Sequence, residues 1–141
     1  MNWRSPLELA IRAINWSWAY DLIEPSGAMD PAFRTRFLDS LDLHVWDIAR
    51  KFSRGSSANN HVIGEAAGVL IAATRFAADL SKSAALVAES RQILEQEIVA
   101  QTYADGCNRE QAFGYHHFVT QFFLFAGMAA RRGGDDLSAS Y

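Results

Sequence analysis

Residues 56–70 read "SSANNHVIGEAAGVL", and their reading decides the fold. Small residues lead into two asparagines and a histidine, and an apolar helical pattern begins at once. The pattern predicts a helix from near Asn60 to near Leu80 that is apolar nearly all round. Such a helix is buried on most of its faces, so other elements must surround it. Its mouth raises a second question. Asn is a favoured N-cap because its side chain satisfies an orphan backbone N–H. One Asn is explained in that way, but Asn59, Asn60 and His61 together are more than a cap needs. The mouth either caps only, or also faces a ligand.

Outward from that helix, strand signals are weak and helix signals recur. Ser5-Pro6-Leu7-Glu8 gives an N-cap serine, a proline at the first helical position and a Glu three residues after the cap. The helix it starts runs to about Ile23 and stops at Pro25-Ser26-Gly27. Asp30-Pro31 repeats the start signal for a helix reaching about Phe52, and Arg54-Gly55-Ser56-Ser57 is a loop. A fourth helix is expected from about Lys82 to Tyr103, stopped by Asp105-Gly106, where glycine suits a left-handed helix end. Asn108-Arg109-Glu110-Gln111 resembles a capping box for a fifth helix ending near Arg131. The tail "GGDDLSASY" reads as disordered. The expected class is therefore all-α, with one domain over residues 1–131 and a tail over 132–141.

The third and fifth helices are dry, whereas the fourth carries Lys82, Glu89, Arg91, Glu95 and Glu97 and must meet water on one side. Dry helices inside and wet ones outside form the pattern of an α/α toroid built from helical hairpins. Five main helices make only part of such a ring. A partial ring leaves apolar helix faces uncovered, and uncovered patches drive association. A homodimer through those faces is expected.

The totals exclude several functions. The chain has 141 residues and a formal net charge of -3, with no run of five or more like charges. Phosphate binding wants a basic surface, so no nucleic-acid partner is expected. The lone cysteine, Cys107, excludes an internal disulfide framework. The stretch "MNWRSPLELA" lacks the apolar core of a secretory signal. The run "FVTQFFLFAGMAA" (118–130) is very apolar but only 13 residues long, which suits a core helix better than a membrane span. No metal or cofactor site is expected either. There is no H-E-x-x-H, no cysteine pair, no G-x-G-x-x-G and no P-loop.

Beyond the mouth of the third helix, two stretches carry groups capable of chemistry. In "DGCNREQAFGYHHF" (105–118), Tyr115, His116 and His117 lie in the first turns of an apolar helix, with Glu110 and Gln111 just before it. The alternatives are a core tyrosine with a paired hydroxyl and acids that only cap, or a reactive phenol beside ligand-binding groups. In the first helix, Glu8, Arg12, Trp16 and Tyr20 are spaced four apart and share one face. They make either a surface ion pair beside an aromatic packing stripe, or a sugar platform to which Trp3 adds. On such a platform rings stack on pyranose faces and Arg pairs with a carboxylate. His44, on the second helix, fits a core or supporting role.

Taken together, "NWRSPLELAIRAINW", then His44, "SSANNHVIGEAAGVL" and "QTYADGCNREQAFGYHHF" resemble the heparinase II/III-like polysaccharide lyases, which include oligo-alginate and heparan-sulfate lyases. The resemblance spans about residues 2–130. It implies β-elimination on uronic-acid polysaccharides, in a cleft between an α/α toroid and a following β-sandwich. Asn60 and His61 would bind and neutralise the uronate carboxylate. Tyr115 would protonate the leaving glycosidic oxygen and, in some members, also act as base. Asn59, Arg12, Trp16, Glu110 and His116 would contact substrate. The chemistry asks for such groups, because hydrogen bonds at the carboxylate delocalise the charge that develops when the C5 proton leaves.

Two departures from the family pattern are visible. Ala112 stands where many members have Ser, and neither the β-sandwich nor the remaining toroid helices have a counterpart here. The resemblance implies a longer parent protein in the periplasm or secreted, while the chain by itself indicates no compartment. The competing expectation is a non-catalytic protein that binds or assembles anionic polysaccharide in a biosynthesis or export system. A purely helical scaffold that self-associates is the third.

Overall fold

The computed structural model describes residues 5–55, 58–139 and 141. Helix α1 (Pro6–Ile23) starts on a proline whose fixed φ suits the first turn. Ser5 sits at the N-cap, but its side chain makes no capping bond. A short 3-10 turn (Glu24–Ser26) and Gly27 at φ 69° turn the chain back. Helix α2 (Pro31–Ala49) is capped by Asp30, whose Oδ1 accepts from the Phe33 N–H at 2.6 Å. Helices α3 (Asn60–Arg75), α4 (Ser83–Gln101) and α5 (Phe113–Arg132) complete the set, and no strand is formed among the described residues.

Two boundaries differ from the sequence reading. Helix α3 ends at Arg75 instead of near Leu80, because Asp79 and Leu80 both donate to the Phe76 carbonyl and wind the chain into a tight turn. Helix α5 starts at Phe113, and the expected capping box at 108–111 does not form. Gln111 has φ 56°, a left-handed conformation that cannot open a right-handed helix, and the Glu110 carboxylate is engaged on α3.

The hairpins pack in two layers around α3. Leu7 of α1 lies over Gly64, Ala10 against Gly68, and Asp21 pairs with Arg75, so α1 and α3 run parallel. Phe122 meets Gly64 and Gly133 meets Thr74, so α5 is parallel to α3 as well. Helices α2 and α4 run the other way. Ser53, just beyond α2, bonds Glu65 near the start of α3, and Gln101 at the end of α4 reaches Asn59. Helix α3 touches all four others, which is why every residue from Val62 to Ala73 is buried. The prediction of a helix dry on all sides holds for α3.

Gly68 sets how closely α1 and α3 approach. A Cβ there would lie 2.8 Å from the Ala10 Cα and 2.9 Å from its carbonyl oxygen, so backbone would have to move. Helix α5 is drier on one side than the other. Val119, Phe122, Phe123, Ala126 and Ala130 are buried, but Phe113, Leu124 and Met128 are exposed. The segment after α5, expected to be disordered from its composition, makes contacts in the described residues. The Tyr141 hydroxyl donates to the Phe123 carbonyl at 2.7 Å, Arg91 pairs with Asp135, and Leu137 packs against the core. No described helix is long and apolar enough to cross a membrane.

The parallel run of α1, α3 and α5 has one consequence for function. It places the N-terminal ends of all three on the same rim.

Candidate functional site

The mouth of α3 uses its three polar residues in three different ways. Asn59 is the N-cap, with Oδ1 accepting from the His61 N–H at 3.0 Å. Asn60 is 5% exposed, and its Nδ2 donates to both Glu110 oxygens at 2.9 and 3.1 Å. The Asn60 backbone N–H donates to Glu110 Oε1 at 3.0 Å. The mouth therefore grips a carboxylate with three N–H bonds, and that carboxylate belongs to the loop before α5. A positive helix end suits it. His61 is exposed.

The loop itself is fixed by further polar contacts. Asn108 Oδ1 accepts from the Glu110 N–H at 3.0 Å, and Asn108 Nδ2 donates to the Gln101 carbonyl at 3.2 Å. The Asn108 N–H donates to His116 Nδ1 at 3.2 Å. Gln101 Nε2 donates to the Asn59 carbonyl at 3.2 Å and to Glu97 at 2.7 Å. A chain of bonds thus joins His116 on α5, through Asn108 and Glu110, to Asn60 on α3. Sequence inspection singled out Glu110 and His116 but missed Gln101 and Asn108. The sequence marks Asn108 only as the start of a capping box, and the Asn59 carbonyl that Gln101 holds lies forty-two residues back along the chain.

Tyr115 is 49% exposed in the first turn of α5. The seams of Phe122 with Gly64 and Gly133 with Thr74 fix the axial register of the two helices. They put Phe118 level with Asn60 and Tyr115 three residues, about 4.5 Å, beyond it. The phenol therefore stands on the same rim as His61, slightly above the α3 mouth. Ala112 occupies the N-cap of α5 and offers no side-chain cap. His117 is exposed and has Gln121 Nε2 3.1 Å from its Nε2.

The first-helix candidates lie elsewhere. Trp16 is half-buried against α2, with its ring 4.8 Å from His44 and 6.2 Å from Phe37. Tyr20 is buried, its hydroxyl accepting from Arg34 Nε at 3.2 Å and donating to Glu24 at 3.0 Å. The Glu8–Arg12 ion pair does not form among the described residues, and Glu8 is exposed. Arg12 is half-buried near His44. Burial pushes the His44 imidazole below its ordinary value, the Ser40 carbonyl on Nδ1 at 2.7 Å opposes this, and the Arg12 charge adds to it. Trp3 lies outside the described residues. Arg12, Trp16 and His44 thus form one cluster between α1 and α2. Asn59, Asn60, Glu110 and His116 form another at the α3 mouth.

Glu65 was passed over as part of the apolar run. It is fully buried and accepts from the Ser53 N–H and hydroxyl at 2.7 and 2.8 Å, pinning the loop that leads into α3. At the far end of the helix layer, a cavity of about 310 Å³ opens between α1 and α5, with Trp18 and Phe125 on its wall. Arg75 there is committed to Asp21 and Glu24. The described residues bring together no group of three or more metal-ligating side chains.

Comparison with curated proteins and with solved structures gives no match. The model of the family described as heparinase II/III N-terminus, however, matches the whole chain, residues 1–141. The chain belongs to the heparinase II/III N-terminal family.

Proposed function

We propose that this chain is the helical part of a polysaccharide lyase that cleaves uronic-acid-containing polysaccharide by β-elimination. The observation that carries the reading is the α3 mouth, where backbone and side-chain N–H groups hold a carboxylate next to an exposed histidine. A uronate presents the same chemical group to the same rim. Family membership supports the substrate class.

In the reaction, the C5–H bond breaks, C4=C5 forms and the C4–O bond to the leaving sugar breaks. Asn60 and His61 receive the carboxyl group at C5 and steady the charge that spreads onto it. Tyr115 gives its proton to the departing glycosidic oxygen, which suits a phenol, since a free one is protonated at neutral pH. Where Tyr115 is also the base, it acts as the phenolate, taking the C5 proton and returning that same proton to the departing glycosidic oxygen. The half-exposed phenol, one turn above the mouth, is free to approach a polymer lying along the rim. His116 and Asn59 border the same rim. Arg12 and Trp16 stand further away, as supports for α1. The exposed apolar side chains of Leu22, Leu124 and Met128 fit a surface covered by further toroid helices or a β-sandwich.

The test is the ultraviolet absorbance of the C4=C5 unsaturated uronide released from alginate, heparan sulfate and hyaluronan. Wild type and Tyr115→Phe are compared, with polymer binding measured in parallel. Product that disappears in Tyr115→Phe, by at least about a hundredfold, with binding kept, is the expected result. Polymer binding without product in either protein moves the assignment to a non-catalytic polysaccharide-binding or assembly protein.

A further inference from the structure

We infer that Glu110 is a positioning residue for Asn60 and makes no contact with the sugar itself. This rests on the lyase reading for its functional half and on the bond network alone for its structural half. An ionised carboxylate accepts hydrogen bonds and donates none. Its two oxygens against one end of the Asn60 amide therefore fix which end is which. Nδ2 must face Glu110 at 2.9 and 3.1 Å, and Oδ1 must face away. No described residue donates to that oxygen. Asn60 is 95% buried in consequence of its 5% exposure, so its side chain has little room to turn over.

The orientation decides what Asn60 offers a ligand. The two oxygens of one carboxylate lie too close together to engage both diverging N–H groups of one amide, so Glu110 takes one N–H shared between its oxygens and leaves the second untaken. Asn60 then offers its remaining amide N–H to the uronate carboxyl group. His61, which is exposed beside it, shares that carboxyl group. Glu110 has no freedom to do more. It takes the backbone N–H of Asn60 as well, at 3.0 Å, and its own N–H is held by Asn108. Through Asn108 the same loop touches His116, the residue after Tyr115. The carboxylate therefore sets the amide on α3 and the start of α5 in one geometry.

Two measurements on the full chain test this. The first is solvent exchange of the Asn60 side-chain amide protons, followed by nuclear magnetic resonance in wild type, Glu110→Gln and Glu110→Ala. Exchange should be slow in wild type and at least about tenfold faster in both variants, since each loses acceptors. Equal exchange in all three overturns the inference without any sugar present. The second is affinity for heparosan and mannuronate tetrasaccharides, measured for Glu110→Gln, Asn60→Ala and the double variant well below the unfolding transition. A misplaced group costs on the order of ten- to a hundredfold, and the double variant should be no weaker than Asn60→Ala alone. Additive losses would show that Glu110 touches the sugar directly and would sink the positioning role. If Asn60→Ala itself leaves affinity intact for both probes, the lyase reading of this rim fails, and the exchange result alone decides the role of Glu110. Glu110→Gln keeps one acceptor, so it remains informative if Glu110→Ala does not fold.

Discussion

The α3 mouth and the α1–α2 face are both polar-and-aromatic clusters, and the fold treats them in opposite ways. At the mouth, Asn60 and Glu110 satisfy one another and Asn59 caps the His61 N–H, while the His61 and Tyr115 residues stay exposed on the rim. On the α1–α2 face, Trp16, Tyr20 and His44 are drawn into packing against Phe37, Phe76 and each other. The difference lies in what each helix has for neighbours. Helix α1 has α2 alongside it over the stripe that carries Trp16 and Tyr20, so the stripe is consumed. Among the described residues no element stands over the rim, so polar groups there can be held from below and still meet a ligand. A set of side chains at helical spacing becomes a site only where the tertiary structure leaves one side of it open.

The comparison can be broken or sharpened by substitution. The largest effect on stability is expected from Gly68→Ala, which drives a Cβ into the Ala10 backbone and must push α1 away from α3. It should lower the unfolding free energy by about 2–3 kcal/mol in urea titration. An unchanged midpoint would mean that α1 is not wedged against α3 as described. Trp16→Ala comes next, at about 2 kcal/mol, below the ~3–5 kcal/mol of a fully buried aromatic because Trp16 is only half-buried. If it leaves stability intact and abolishes polyuronide binding, the α1 face is a sugar platform after all and the contrast collapses. Ala112→Ser should act in the other direction. Ala112 already has the extended backbone of an N-cap, φ -108° and ψ 125°, without an acceptor. A hydroxyl there should raise stability by about 1 kcal/mol. A neutral or destabilising result would show that the first turn of α5 is satisfied by other means.

The smallest effect is a pH dependence. Burial depresses the His44 imidazole, so the unfolded chain takes up the proton first as the pH falls. The stability gained from keeping His44 neutral is present above about pH 6.5 and declines as the pH drops below it. Urea midpoints at about pH 7.5 and about pH 5.5 should differ by less in His44→Gln than in wild type. An identical pH slope in the variant would remove His44 from the packed face.

How much of this was legible in the sequence depends on how local each cause is. Pro6, Asp30-Pro31 and Gly27 act on their own turns, and α1 begins and ends, and α2 begins, where these residues say. The apolar run from Val62 announces a helix buried on all sides, and α3 is that helix. Asn59 as a cap is equally local, a side chain bonding two residues on. The box at 108–111 misled because its residue types are right for a cap while the Glu110 carboxylate has a distant partner. Glu110 bonds fifty positions back along the chain, and the left-handed Gln111 delays α5 to Phe113. Glu65 hid inside an apolar stretch because only its contact with Ser53 makes a buried carboxylate tolerable.

By itself, then, the sequence determined the helices, the dry centre and the residue types gathered at the α3 mouth, since each follows from neighbours within a few turns. Only the tertiary structure decided that α1, α3 and α5 run parallel, that Gly64 and Gly68 let them close, and that the mouth holds Glu110 and not Gln111. Those outcomes depend on surfaces meeting across many tens of residues, where shape and hydrogen-bond partners are fixed by packing and not by spacing.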